Sequence, residues 1–133
     1  MSINERMVRS IFVDLEQGDG DAFFEHVADD VDWTVMGTHP LAGQYSSKNA
    51  FKQGTFSKLG KVLPKGAQLR VTNVIVAGDT AVVELVSDAI ARNGMRFDNH
   101  YCWITRFDGE TIVEVRAYLD SAMVAELFRQ NPL

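Results

Sequence analysis

The stretch from Met95 to Arg129, MRFDNHYCWITRFDGETIVEVRAYLDSAMVAELFR, sets the architecture. Two strand-like runs flank an Asp108-Gly109 turn, and a short amphipathic helix follows. On the first run the odd positions are Phe97, Asn99, Tyr101, Trp103 and Thr105. The even positions are Arg96, Asp98, His100, Cys102 and Arg106, with Ile104 the one large aliphatic residue among them. Period-two alternation sends the two sets to opposite faces of a sheet. One face is therefore aromatic, with an amide and a phenol set into it. Such a face lines a small-molecule pocket or a core.

Outward from this stretch, the chain reads as strands in hairpin order. Gln68 to Ala77 turns at Gly78-Asp79, which suits a type II′ hairpin with glycine first. Thr80 to Ala91 turns at Asn93-Gly94, the preferred type I′ pair. Met95 to Phe107 then turns into Thr111 to Leu119, and Asp120 can cap a closing helix carrying Ala122, Met123, Leu127 and Phe128.

The N-terminal half is helical. Ser2-Ile3-Asn4-Glu5 has the form of a capping box. Ile3, Met7, Val8, Ile11, Phe12 and Leu15 recur at helical spacing, which predicts a helix from about Ile3 to Gln17, stopped at Gly18. Asp19 or Asp21 can cap a second, short helix with Phe23, Phe24 and Val27. Val31 to Met36 reads as a strand, and Gly37 to Ser46 as a loop by its Gly and Pro content. Ser46 or Ser47 can cap a third helix, which Gly54 weakens. The pattern predicts an α+β domain over residues 1–133: a curved antiparallel sheet packed against three N-terminal helices, with a short C-terminal helix.

Composition bounds the function. The 133 residues carry a formal net charge of −5 and no long run of Lys or Arg, which argues against nucleic acid and an anionic membrane surface. Cys102 is the only cysteine, so no internal disulfide forms, as suits a reducing cytoplasm. The N-terminus lacks the pattern of a signal peptide. No apolar run approaches the ~20 residues that span a bilayer.

The order of elements resembles the NTF2-like superfamily, in its SnoaL-like, ketosteroid-isomerase-like branch. The pieces that carry the likeness are Trp33-Thr-Val-Met-Gly37, Pro40-Leu-Ala-Gly43, Tyr45 and Lys48, Asn99-His-Tyr-Cys-Trp103, Arg106-Phe-Asp-Gly109 and Ile112 to Asp120. The resemblance implies a cone-shaped domain whose mouth can hold a ligand. It is a poor guide to reaction, because this fold hosts isomerases, cyclases, hydrolases, dehydratases and binding subunits. The acid-base and oxyanion positions of the steroid isomerases fall on Val35, Ile11 and Trp103 here. Those of the limonene epoxide hydrolases fall on Glu84-Leu-Val86 and Ala117. Both catalytic sets are missing.

The candidate chemistry is therefore local. Glu84 and Asp88 share the even face of their strand with Val82, Val86 and Ile90. The resemblance points that face into the cone, where a carboxylate would have a raised pKa fit for acid-base work. Otherwise Glu84 pairs with an arginine or meets solvent. Asn99, Tyr101 and Trp103 would anchor a substrate, with Trp33, Val35, Val86, Val115, Ala117 and Leu119 as apolar walls. His39, in the loop near the mouth, has a side chain suited to proton transfer, although a loop histidine commonly just meets water or caps a turn.

His26, His39 and His100 form no metal-spaced pair, and no nucleotide-binding motif or serine elbow is present, so neither metal nor cofactor is expected. The far face of the last strand, with Glu114, Arg116 and Tyr118, joins Ile104, Ile112 and Val74 in a face suited to a homodimer or to solvent. The expected function is a pocket for a small apolar molecule. It serves an isomerase, cyclase or hydratase-hydrolase type of reaction, or a non-catalytic binding or structural role.

Overall fold

The computed structural model describes residues 3–133. Helix α1 (Glu5–Glu16) is capped by Asn4, whose side chain accepts from Met7 N. Ser2 of the expected capping box lies outside the described residues. Val8, Ile11, Phe12 and Leu15 form the buried stripe, and Gly18 ends the turn at φ +79°, a conformation glycine adopts without a Cβ penalty. Asp19 caps α2 (Gly20–Phe24), Ser47 caps α3 (Lys48–Gly54) and Asp120 caps α5 (Ser121–Gln130). Each of these side chains accepts a main-chain N–H that would otherwise be unpaired at the helix start.

The expected third helix is two helices. It breaks at Thr55 (φ −128°, ψ −76°), and α4 (Phe56–Val62) starts without a side-chain cap. Gly54 has a reason beyond weak helix propensity: the ring of Tyr45 occupies the space where a Cβ would stand.

The main sheet has six strands in the order β2-β1-β8-β7-β4-β3. These are β1 (Val27–Val35), β2 (Gly43–Tyr45), β3 (Leu69–Ala77), β4 (Thr80–Ser87), β7 (His100–Asp108) and β8 (Thr111–Leu119). Two short strands, β5 (Ala89–Ile90) and β6 (Arg96–Phe97), pair apart from it. The sheet is mixed rather than wholly antiparallel, because β1 runs parallel to β8. The loop expected over Gly37 to Ser46 contributes strand β2 at one edge.

The four N-terminal helices and the sheet enclose one apolar cluster, built around Phe12, Phe23, Trp33, Val83, Trp103 and Ile112. A second cluster lies between α4, the β5–β6 hairpin and α5, around Val62, Leu63, Phe97 and Leu127. No helix among the described residues is long and apolar enough to cross a membrane.

Two β-bulges redirect side chains. One between Val71 and Asn73 turns Val74 inward, and one on β8 opposite Arg106 and Phe107 turns Ile112 inward. Both residues are buried, at 6% and 0% exposed, so the expectation that they sit on the outer face is corrected. A bulge inserts one unpaired residue and so inverts the alternation beyond it.

Candidate functional site

The aromatic row of β7 looks toward the helices. Phe97, Asn99, Trp103 and Thr105 are buried and Tyr101 is half-buried. Trp33 stacks on Phe51 with centroids 3.8 Å apart and meets Trp103 edge-on at 5.2 Å. Phe12 and Phe23 close on Trp103 at 5.9 and 6.4 Å, and Phe24 lies 6.3 Å from Trp33. Val35, Val115 and Ala117 complete the buried wall, and Leu119 is half-buried between the two apolar clusters. Rings therefore fill the inner end of the cone. Edge-on and offset contacts of this kind stabilise by about 0.5–1.5 kcal/mol each beyond area burial.

Glu84 is not part of this interior. It pairs across the ladder with Cys102, while Val83 pairs with Trp103. Directly paired residues share a face, so Glu84 lies on the outer side of the sheet, exposed, accepting from Asn73 Nδ2 at 3.0 Å. Val86 goes with it, opposite Arg70 on one side and His100 on the other. Asp88 is exposed where β4 gives way to β5. The expectation of an inward acidic face is corrected for all three residues.

His39 is buried but engaged. Its Nδ1 accepts from Leu41 N at 3.1 Å, which leaves Nε2 to donate to Met36 O at 2.9 Å. The ring thus braces its own loop. Asn99 is engaged too: Oδ1 accepts from Asp120 N at 2.9 Å and Nδ2 donates to Asp120 O at 3.3 Å. It fastens the start of α5 to β7. Burial pushes the Tyr101 phenol up to about 12. Tyr101 therefore stays a protonated donor across the physiological range.

One buried side-chain polar atom has no hydrogen-bond partner among the described residues, the indole Nε1 of Trp33. Leaving a buried donor unpaired costs about 1–3 kcal/mol.

An open cavity of about 170 Å³ sits at the rim of the cone. Leu15, Phe56, Leu59, Ala67 and Leu69 give it apolar walls, and Gly18, Gly20, Gly60 and Gly66 keep it free of side chains. Lys65 and Gln68 stand at its edge. None of these wall residues was a candidate from the alternation of the strands. The available signal was the clustering of glycines at 18, 20, 60 and 66 beside apolar residues.

Comparison with known proteins gives a consistent picture. Residues 8–115 match the family described as the SnoaL-like domain. An NTF2-like protein from Burkholderia thailandensis is 24% identical, with a TM-score of 0.79 over 92% of this chain and 95% of that one. A protein with a cystatin-like fold from Xanthomonas campestris is 21% identical, with a TM-score of 0.77 over 92% of this chain and 95% of that one. Among curated proteins, the dimerizing cyclase phiC of Fungal sp. (strain ATCC 74256) is 24% identical over 135 residues. That alignment takes in 98% of this chain but 59% of the cyclase, so the chain spans about three fifths of that relative's length.

Proposed function

This chain belongs to the SnoaL-like domain family, and on that premise we propose that it binds a compact, mostly apolar small molecule in the rim cavity between α1, α4 and the start of β3. The observation that carries the reading is the cavity itself. It has apolar walls, glycines at its edge and a volume of about 170 Å³. Apolar cavities of about 150 Å³ accept a benzene-sized guest. A relative named a cyclase supports a small-molecule role for the domain.

Glu84 and Asp88 are exposed and His39 is engaged in its loop, so none of these three supplies the acid or base to this cavity. The groups in place for an isomerase, cyclase or hydratase-type reaction are neutral donors. Tyr101 is the neutral donor of the inner row of β7, and a donor of this kind stabilises charge that develops on a substrate oxygen.

The test is toluene binding followed by NMR shifts of the cavity methyl groups. Toluene should bind the parent chain, and Ala67→Leu should weaken it by about tenfold or more by filling the space. A thermal melt of the variant confirms that it is folded. Failure of toluene to bind the parent, or unchanged binding in the variant, removes the cavity as a site.

The outer sheet face supports a second part of the reading, a two-fold homodimer. Tyr118 is 45% and Ile75 55% exposed there, beside half-buried Val82, Cys102 and Ile104. Arg106 and Arg116 pair with Glu114 at 2.9 and 3.6 Å along the margin. An apolar centre with a charged rim is the usual anatomy of an interface. Tyr118→Asp sets a carboxylate in the row of Cys102 and Glu84 and should turn a micromolar dimer into a monomer by sedimentation equilibrium. A parent chain that sediments as a monomer at all concentrations ends this reading.

A further inference from the structure

We propose that the guest of the rim cavity is an apolar carboxylic acid bound as its anion, and that Lys65 receives the carboxylate. This deepens the rim-cavity reading and rests on it. A second cavity, of about 390 Å³, opens beside the first and is lined by Pro64, Asp88, Ile90 and Arg92 among others. Lys65 and Gln68 line both, so they form the ridge between an apolar space and a more charged one. An amphipathic molecule can lay its hydrocarbon against Leu15, Phe56, Leu59 and Leu69 and turn its charged end to that ridge. Gln68 is the one non-glycine residue with a positive φ among the described residues, at +51°. Gly66, two positions earlier, adopts φ +73° without the Cβ penalty that Gln68 bears. A side chain therefore stands at the ridge where glycine would fit the backbone better. Its Nε2 meets only Lys65 O, at a long 3.4 Å, and is free to exchange that contact for a ligand oxygen.

The sign of the charged end follows from how charge is distributed along the chain. The protein is acidic overall, with a formal net charge of −5. Yet residues 33–78 hold six basic residues, Lys48, Lys52, Lys58, Lys61, Lys65 and Arg70, and no Asp or Glu. All 18 acidic residues lie outside this segment, which runs from the end of β1 through α3 and α4 into β3. Helix α4 and the loop after it thus give the rim cavity a wholly basic side. Lys48 and Lys52 are paired, with Asp29 at 3.3 Å and Asp21 at 3.6 Å. Lys58, Lys61 and Lys65 make no ion pair among the described residues. An unpaired ammonium at the lip of an apolar space attracts a carboxylate and repels a cation. Asp88 also lines the second cavity and opposes an anion there, so the seat is the ridge itself, where Lys65 and Gln68 meet the apolar walls.

The probes are 3-phenylpropionate, the neutral 3-phenylpropionamide and the cationic 3-phenylpropylamine, which share a ring and chain and differ in charge. Binding is followed by the shifts of the cavity methyl groups at low salt. The carboxylate should bind the parent chain about fivefold more tightly than the amide, the scale of one exposed charge pair, and the amine should bind least. Salt at about 0.5 M should shrink the preference toward one. Lys65→Met keeps an apolar stem and removes the charge, so the preference should fall to about one while toluene binds as in the parent. Lys65→Glu should reverse the order and favour the amine. Lys65 is exposed, so both variants should keep the parent's thermal melt. Equal binding of carboxylate and amide by the parent, or a preference that Lys65→Met leaves unchanged, overturns this inference and leaves the cavity reading intact where toluene still binds. Failure of toluene and of all three probes overturns the two together.

Discussion

Trp103→Ala should lower the unfolding free energy by about 3–5 kcal/mol, the usual cost of removing a large buried aromatic side chain. Glu84→Ala should change it by less than about 0.5 kcal/mol. The two side chains come from neighbouring strands, close together in the ladder, but on opposite faces. Trp103 is 3% exposed and touches Phe12, Phe23, Trp33 and Tyr101. Its removal leaves a void among side chains held on separate elements, which cannot collapse together. Glu84 gives up one exposed hydrogen bond to Asn73, which water replaces. Urea unfolding midpoints measure both changes. Comparable losses in the two variants would falsify the register on which the site rests.

That register was half legible in the sequence. The inward row of β7 followed directly from alternation, because Phe97, Tyr101 and Trp103 cannot all face water cheaply. The facing of β4 depended on one turn. A two-residue Asn93-Gly94 turn would set Glu84 opposite Trp103 and send it inside. The hairpin instead closes on Ala91 and Met95, with Ala91 N donating to Met95 O at 2.8 Å, so its loop has three residues. Gly94 has φ +91°, while Asn93 does not take the positive φ that a type I′ turn demands. One extra residue moves the partner of Glu84 to Cys102 and flips the whole strand.

The cause is tertiary. Asn93 N donates to Asn131 Oδ1, Asn93 Nδ2 to Gln130 Oε1, and Arg92 N to Val62 O. Contacts with α4 and the C-terminal segment override the local preference of Asn-Gly. The two bulges escaped notice for a similar reason, since each is defined by its partner strand. The rim cavity was the least legible part. Its walls come from Leu15 through Leu69, on segments whose approach to one another no local pattern encodes.

Asn99→Ala should cost about 2–4 kcal/mol, with the loss concentrated at the C-terminal helix. Asn99 is fully buried, and its amide serves both the N–H and the C=O of Asp120. Alanine strands both groups at the residue whose carboxylate caps α5 through Met123 N. Helix α5 carries Val124, Leu127 and Phe128 into the second apolar cluster, against Val62, Leu63 and Phe97. A loosened start to this helix exposes that cluster without opening the aromatic interior around Trp103. Amide hydrogen exchange should then speed over residues 121–130 while β7 and β8 keep their protection, the pattern of a sub-global opening. Uniform acceleration across the sheet would instead make Asn99 a part of the common core. Protection of α5 equal to the parent's would mean that its apolar face alone holds it down, with the amide adding nothing.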